Sequence, residues 1–365
     1  MSSHPTRASA QSPYLFQGER REYHAGSSEL KLSTYVIRRL LIALPMLFIL
    51  LTVIFFVMRI LPGDPVTIMV GEKAPPEEMQ RIRHFLGLDR PIEVQFYSFL
   101  GDMFTGNFGE SLVTHRPVIL ELSSAYPATV ELAVGATLMG VVIGIPLGLV
   151  TALKRGSVVD HSGRIFTFWT YSMPEFWLGT LLQIYFAVQF GMLPTSGRLP
   201  ATMDLRTITG LMTVDSLLQR NLGAFVEAIR YLILPTVTLG LVTLMPQVSR
   251  IARASMLDQM REDYIITARA KGLPEKIVLY RHALRNALLP IVSIIGLSFS
   301  GLLGGTVLVE TIFSFPGLGR LLVSGLLNRD FPVVQAIVFM FAIVVVAVNT
   351  ATDVLFAVLD PRVRY

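Results

Sequence analysis

Two acidic residues lie in otherwise apolar stretches of this sequence, where their side chains could carry chemistry. Glu175 follows Pro174 near the middle of the stretch 165–190, and Asp353 stands about one helical turn after Asn349 in the last apolar stretch. A charge at the centre of a membrane costs about 2.5–3.5 kcal/mol on insertion scales, so such a group faces a cavity, is protonated or has a partner. Glu175 could therefore line a solute path or be a paired packing residue. Asp353 with Asn349 could form a proton relay, although a structural role is commoner for such neighbours near a helix end.

Known phosphate, metal and hydrolase motifs are absent from the sequence. The dipeptide Gly-Lys does not occur, so there is no GxxxxGK[ST] phosphate loop, and the six histidines show no HExxH spacing. The glycine-rich segment 315–320 has no accompanying lysine and is better explained as a turn. Without cysteine, no disulfide or cysteine metal site is available. We therefore expect no ATPase activity, metal site or cofactor on this chain itself.

The elements that position these residues are predicted to be membrane helices. The 365 residues are 52% hydrophobic and only 16% charged, too apolar for an ordinary soluble domain. Six apolar stretches are near the 17–25 residues that a helix needs to cross a bilayer. They cover residues 36–60, 127–153, 165–190, 231–248, 288–309 and 332–358. The sequence thus predicts an all-α polytopic membrane protein with six transmembrane helices.

The distribution of Lys and Arg predicts the orientation, because positively charged loops stay in the cytoplasm. The two tails, Arg38 and Arg39 at the start of the first span, and the loops 153–164 and 249–287 together hold 19 Lys and Arg, and the loops on the opposite side hold 10. Both termini are therefore expected inside the cell. The net charge of +5 could suggest nucleic acid, but the distribution of Lys and Arg between the two sides is the informative feature, and no nucleic-acid partner is expected.

The spans divide the chain into segments. We predict a disordered cytoplasmic tail at 1–32, a first transmembrane helix at 33–60, an external helical domain at 61–126, a core with five spans at 127–358 and a cytoplasmic tail at 359–365. In the external domain, Pro75 and Pro76 followed by Glu77 and Glu78 predict a helix start, and Gly87 predicts its end. A second helix is expected to start near Asp89 and Pro91, whereas residues 191–229 show turn chemistry without a clear period.

The most informative segment is the basic loop 250–287 and the start of the following span. Leu257, Met260, Tyr264 and Ala268 recur at helical spacing and predict one amphipathic helix that ends at Gly272. A second helix should begin at Pro274 and Glu275 and present an apolar stripe of Ile277, Tyr280, Leu284 and Leu288. This helix, glycine turn and helix form a knob that could dock into a partner's groove or lie on the anionic lipid surface. The pattern alone does not separate the two.

The knob sequence resembles that of a known transporter family. The residues that carry the likeness are Asp263, Tyr264, Thr267, Ala268, Arg269, Ala270, Lys271, Gly272 and Leu273, followed by His282, Ala283, Leu284, Arg285, Asn286, Ala287, Leu288 and Pro290. They resemble the coupling loop of the dipeptide, oligopeptide and nickel ABC importer permeases, which is that family's variant of the EAA loop. Ile266 and Thr267 stand where the general EAA pattern has Glu and Ala, so the contact of that Glu is not carried over. Ala268 and Gly272 match directly.

Blocks elsewhere extend the resemblance over nearly everything after residue 33, and they are similar to the family's first permease type. These blocks are Tyr35 with Arg38, Arg39 and Pro45, then residues 62–65, 86–91, 127–132, 310–313, 316–319 and 360–362.

The resemblance implies a type I ABC importer permease in the cell inner membrane. It implies pairing with a second homologous permease, with two cytoplasmic ATPases that bind ATP and Mg, and with an external solute-binding protein. It also implies that the knob couples to the ATPases through Asp263, Tyr264, Ala268, Arg269, Ala270, Lys271 and Gly272. Peptides are the favoured solute, while nickel, glutathione and sugars stay open.

Two other functions are weighed against this one. An ion-coupled secondary transporter would use Glu175 or Asp353 as its coupling group and would work without ATPases. A scaffold would only anchor other proteins, and measurable solute uptake would exclude it.

Overall fold

The computed structural model describes residues 32–60, 65–71 and 74–359. The predicted tails, apart from Leu32 and Leu359, lie outside the described residues. Within the described part of the chain the elements are helical, and the only β-type pairing is an isolated bridge between Glu110 and Pro117.

The chain forms sixteen α-helices and three π-helical turns in its described residues. These are α1 (Leu32–Ile60), α2 (Pro65–Val70), α3 (Pro76–Phe85), α4 (Ile92–Thr105), α5 (Val118–Leu153), α6 (Val158–Ser172), α7 (Glu175–Leu182), π1 (Gln183–Gln189), α8 (Met212–Leu218), α9 (Leu222–Leu239), π2 (Gly240–Leu244), α10 (Met245–Gln259), α11 (Asp263–Ala270), α12 (Glu275–Ile277), π3 (Val278–Ala283), α13 (Leu284–Gly305), α14 (Val307–Ile312), α15 (Leu318–Leu327) and α16 (Phe331–Leu359).

Five helical segments of the described chain are long and apolar enough to cross a membrane. They are Ile37–Ile60, Val118–Leu153, Leu222–Gln259, Glu275–Gly304 and Phe331–Val354. The predicted third span is helical but is not one helix, because it breaks between α6 and α7. Met173 is extended (φ −77°, ψ 134°), as expected before Pro174, whose ring disfavours helical backbone in the preceding residue. A new helix then begins at Glu175.

Several helices are longer than their apolar stretches. The second span begins at Val118 instead of Pro127, and both Pro127 and Pro146 lie inside its helix. The fourth span is formed by α9, π2 and α10 together. Since α9 begins at Leu222, part of the segment 191–229, which showed no clear period in the sequence, is helical. There the side chain of Asn221 caps α9 by accepting a bond from the Ala224 N–H at 3.0 Å.

The segment after the first span contains the two predicted short helices, α3 and α4. Each follows a proline, and Gly87 takes the left-handed conformation (φ +66°) after α3, as its position predicted. The α4 helix packs on α1 through Phe55, Phe96 and Phe99, with ring centroids 5.1–5.4 Å apart around Phe55. The guanidinium of Arg59 lies 3.4 Å from the Phe55 ring centroid.

The centre of the core is the contact of α5 with α10. An added Cβ on Gly148 of α5 would lie 2.5 Å from the Ser249 carbonyl oxygen of α10, so the two backbones touch there without intervening side chains. At Gly144 the same test gives 2.9 Å to the Met245 carbonyl oxygen. These contacts make α5 and α10 one closely packed pair.

Candidate functional site

The turn of the knob (residues 263–283) is built around Gly272, which has φ +75°. The Gly272 N–H donates to the Arg269 carbonyl at 2.9 Å, and the Leu273 N–H donates to the Ala268 carbonyl at 3.4 Å. This pair of bonds is a Schellman cap, which satisfies the last carbonyls of a helix and requires a left-handed residue at this position. The predicted glycine stop is therefore confirmed in its geometry.

An ion pair closes the same turn from outside. Arg269 donates to both Glu275 carboxylate oxygens, at 3.2 and 2.7 Å. These hydrogen bonds hold the pKa of Glu275 below its usual value and raise the pKa of Arg269. Both side chains are more than a third exposed, so the pair is worth at most about 1 kcal/mol. Its effect is to fix α11 relative to α12.

The inner face of the knob differs from the predicted amphipathic helix. The helix ends at Gln259 and a new one starts at Asp263, because Glu262 is extended (φ −70°, ψ 146°) and interrupts the hydrogen-bond run. The four predicted apolar residues still meet in one cluster. Its buried members are Ala152, Met256, Ile265, Ala268, Val278, Ala283 and Ala287, and Leu149, Leu257, Met260, Tyr264 and Leu279 pack against them.

The second predicted stripe is wrong. Ile277, Tyr280 and Leu288 are exposed, while Val278 and Ala283 are buried. The prediction assumed a regular helical period, whereas the π-helical turn Val278–Ala283 has a longer one and moves other residues onto the inner face. Ile277 and Tyr280 therefore lie on the outer surface of the knob, among its charged residues.

The predicted coupling residues fall into two groups. Ala268 is buried in the apolar cluster, and Tyr264 is half-buried, with its hydroxyl donating to Gln259 at 2.6 Å and accepting from Asn286 at 3.0 Å. The others, Asp263, Arg269, Ala270, Lys271 and Gly272, are exposed. Ala268 and Tyr264 thus hold the knob on the membrane core, and the exposed group forms its surface.

A buried carboxylate ties the third span to the helix that carries the knob, and sequence reasoning missed it. Asp160 of α6 accepts two hydrogen bonds from Arg253 of α10, at 3.0 and 3.1 Å, and one from the Gly156 N–H at 3.0 Å. Arg164 lies 3.2 Å away. The Arg253 hydrogen bonds lower the pKa of Asp160 to about 2. Asp160 therefore stays charged and keeps α6 attached to α10.

Asp353 has a cationic partner, which bears on the proton-relay interpretation. It forms an ion pair with Arg39, so a salt bridge joins α16 to α1. A salt bridge that joins two helices is a structural role for Asp353, the alternative to proton transfer.

Glu175 lies at the first position of α7, directly after the break in the third span. One of its oxygens accepts a bond from the Thr243 hydroxyl of π2 at 2.6 Å, and it forms no ion pair with the described residues. The helix dipole at such an N-terminus stabilises a negative charge by about 0.3–1 kcal/mol, and one hydrogen bond to a charged group adds about 1.5–3 kcal/mol. Together these are comparable with the cost of about 2.5–3.5 kcal/mol for a mid-membrane charge.

Two more buried carboxylates lie in or against the first half of α5. Glu131 pairs with Arg198 and accepts from the Thr213 backbone N–H at 2.7 Å, and both charged side chains are more than nine-tenths buried. Glu310 is fully buried and accepts from the hydroxyls of Thr129 and Thr306, each at 2.7 Å.

The glycine-rich segment 315–320 wraps around the Glu310 carboxylate, and the Arg320 N–H donates to it at 3.0 Å. A Cβ on Gly317 would collide with that carboxyl group. The glycines are therefore required by a carboxylate of the same chain, which explains this segment without a phosphate ligand.

The fold is similar to that of a solved importer. The MetNI methionine ABC transporter, in inward-facing conformations, matches with a TM-score of 0.51 at 16% identity, over 67% of this chain and 98% of that chain. The two chains thus share a fold. Its type I ABC permease architecture agrees with the predicted fold class.

Relatives of higher identity cover almost the whole sequence. The di/tripeptide transport system permease protein DppB of Pseudomonas aeruginosa is 42% identical over 333 residues, which is 91% of this chain and 99% of the relative. The dipeptide transport system permease protein DppB of Escherichia coli K12 is 40% identical, over 91% of this chain and 98% of the relative. The glutathione transport system permease protein GsiC of Salmonella choleraesuis is 36% identical, over 91% and 99%.

Two family models divide the chain between them. Residues 32–133 match the N-terminal component of binding-protein-dependent transport system membrane proteins. Residues 144–365 match the binding-protein-dependent transport system inner membrane component, and this match includes the knob and Glu175. This chain is therefore a multi-pass membrane protein of the binding-protein-dependent transport system inner membrane component family, the permease subunits of ABC importers.

Proposed function

We propose that this chain forms half of the translocation pathway of an ATP-driven importer for short peptides. The relatives named for di- and tripeptides are 40–42% identical over 91% of the chain, and the relative named for glutathione also acts on a short peptide. A second homologous permease supplies the other half, and an external binding protein delivers the solute. ATP and Mg are held by two cytoplasmic ATPase subunits, and this chain binds neither.

The observation that carries the proposal is the construction of the knob. Its inner face is anchored to α5 and α10 by a buried apolar cluster, and its turn is fixed by the Schellman cap and the Arg269–Glu275 pair. Its outer surface presents Ile266, Ile277 and Tyr280, which are 56%, 41% and 62% exposed. Exposed apolar side chains on a segment that is held rigidly against the spans are suited to docking into a groove of another protein. That protein is the ATPase, and its movements are transmitted to the spans by the knob.

Membrane sidedness follows from the charge asymmetry of the loops. Both termini and the knob lie in the cytoplasm, and residues 61–126 lie outside, where they reach the binding protein. The knob and α4 are then on opposite sides of the membrane.

Crosslinking tests this arrangement directly, because the chain has no cysteine of its own. Lys271→Cys should form a crosslink to an ATPase subunit in the assembled complex, and Asp102→Cys in α4 serves as the matched control and should form none. A Lys271 thiol that reacts only with lipid-linked reagents, and never with an ATPase, would favour the lipid-surface alternative and contradict the proposal.

Transport assays test the division of labour. Peptide uptake into proteoliposomes should require both permeases, both ATPases and ATP. Uptake by this chain alone, driven by an ion gradient, would refute the proposal and support a secondary transporter.

A further inference from the structure

We propose that Glu175, Thr243, Gln247 and Ser298 form an amine-binding station within the membrane, which takes the ammonium group of a peptide as the peptide passes. The inference rests on the proposed function and adds a site on this chain to it.

The break in the third span places the Glu175 carboxylate near the middle of the membrane. The 15 residues of α6 precede the break, and the 8 residues of α7 with the 7 of π1 follow it. Each half is about 22 Å long at 1.5 Å per residue, so the break lies near the centre of this span. Non-helical backbone at membrane depth is tolerated where it is buried in protein or lines a water-filled cavity.

Polar side chains from three different spans form a continuous chain at this place. The Thr243 hydroxyl donates to Glu175 at 2.6 Å, the Gln247 amide donates to the Thr243 carbonyl at 2.8 Å, and the Ser298 hydroxyl donates to the Gln247 amide oxygen at 3.1 Å. Thr243 belongs to π2, and π-helical turns occur frequently at functional sites. Three spans thus contribute polar side chains at a place where apolar packing would be the default.

Glu175 and the buried Glu310 have no cationic partner among the described residues, unlike two other acids in the apolar helices. Asp353 pairs with Arg39, and Glu131 pairs with Arg198. In the part of the chain that the structure describes, Glu175 has only the neutral Thr243 as a side-chain partner, and its second oxygen accepts no hydrogen bond. The side chain is half-buried. A cation from outside the described residues could therefore pair with the Glu175 carboxylate.

An ammonium group fits this site better than a metal ion does. Calcium takes six to eight oxygen ligands and magnesium near-ideal octahedral geometry, whereas an ammonium ion has three N–H donors that a carboxylate and nearby neutral acceptors can receive. The described residues hold no group of three His, Cys, Asp or Glu that could bind a metal. A peptide with a free amino terminus supplies such an ammonium group.

The test uses the complete complex, with its partner permease, ATPases and binding protein, in proteoliposomes. We expect Glu175→Gln to lower the initial rate of dipeptide uptake about 10-fold, the usual size of a lost hydrogen bond to a charged group. ATP hydrolysis stimulated by the loaded binding protein should stay near the wild-type rate. Glu175→Asp, which keeps the charge, should retain most of the uptake. The matched control is Glu227→Gln, because Glu227 already pairs with Arg230 at 2.7 Å.

A thiol placed beside the station measures occupancy independently of the uptake rate. Leu178→Cys lies one helical turn after Glu175 on the same face. Dipeptide present during turnover should slow alkylation of this thiol, and this protection should vanish in the double variant with Glu175→Gln.

The outcomes separate the possible failures. Wild-type uptake by Glu175→Gln, or protection of the Leu178→Cys thiol that persists without the carboxylate, overturns the station. So does a loss of stimulated ATP hydrolysis in both Glu175→Gln and Glu175→Asp, because that result gives the carboxylate a structural role. If the wild-type complex itself shows no ATP-dependent uptake, the proposed function falls instead.

Discussion

Replacing Gly272 by valine should uncouple ATP hydrolysis from transport. Gly272 holds φ +75° in the Schellman cap of the knob, and an added Cβ at this position would meet no atom within 4 Å. The substitution therefore causes no collision, and its whole cost comes from the backbone conformation. A left-handed residue with a Cβ costs about 1–2 kcal/mol, and a β-branched residue lies at the upper end or above it.

This strain is large enough to be measured in function. About 2 kcal/mol lowers the population of the intact turn relative to opened forms roughly 30-fold. Movement of the ATPases would then displace a loosened turn and would transmit less of the motion to the spans. We expect ATP hydrolysis to continue while the peptide taken up per ATP hydrolysed falls severalfold. Gly272→Asn should have a smaller effect, because Asn tolerates the left-handed conformation better.

The structure offers a close control for this experiment in Gly106, which ends α4. Gly106 has the same φ of +75°, the same open surroundings and the same pair of hydrogen bonds, from the Gly106 and Asn107 N–H groups to the Met103 and Asp102 carbonyls. Gly106→Val should carry the same strain without changing uptake per ATP. The reasoning would be refuted if Gly272→Val kept the wild-type ratio, or if Gly106→Val lowered it equally.

Three further predictions follow from ion pairs and sidedness. Arg198→Met should destabilise the protein by about 3–5 kcal/mol, because it leaves the Glu131 charge buried and unpaired, and adding Glu131→Gln should restore much of the thermal stability in detergent. The pKa of Asp160 is lowered to about 2 from 3.8, so its charged form stabilises the fold fully at neutral pH, and this stabilisation is lost as the pH falls through this range. In Asp160→Asn, the melting temperature should therefore fall less steeply at acidic pH than in the wild type. Lys276→Cys should react with an impermeant thiol reagent only from the cytoplasmic side and Asp102→Cys only from outside, and the reverse pattern would contradict the proposed orientation.

Features set by neighbouring residues were predictable from the sequence. The glycine turn of the knob follows from Lys271 and Gly272 at the end of a helical pattern, and the start of α3 follows from Pro75 and Pro76. In both cases a few adjacent residues restrict φ and ψ strongly enough to end or begin a helix. Sequence reasoning succeeds here because the forces act within one turn of the chain.

The contacts that hold the spans together were not predictable in this way. Arg198 pairs with Glu131 across 67 residues, and Arg253 pairs with Asp160 across 93 residues. No local pattern marks one arginine as the partner of one acid, since many charged residues occur in the loops between them. The signal that could have found them is an acid within or beside an apolar span, which needs a partner somewhere.

π-helical turns account for one other error, the second apolar stripe of the knob. Each shifts the side chains that follow it relative to an ideal helix, and a pattern with one fixed period cannot reproduce that shift. At Val278–Ala283 the result was an apolar stripe assigned to the wrong face, with Tyr280 and Leu288 exposed.

One continuous helical segment, Leu222–Gln259, joins the knob to the proposed amine-binding station. At one end Met256 is buried in the cluster that holds the knob, and in the middle Thr243 bonds to Glu175. The close backbone contact of Gly148 with α10 packs α5 and α10 tightly together, so we expect a displacement of the knob to move both helices. The π2 turn, where the regular hydrogen-bond ladder is interrupted, is the place at which such a segment bends.

A bend at π2 moves Thr243 relative to the Glu175 oxygen. An equilibrium between two conformations shifts only as far as its ligands bind one conformation more tightly than the other. In the proposed mechanism, the ATPases therefore set how strongly Glu175 attracts the ammonium group, which is how ATP would drive both capture and release.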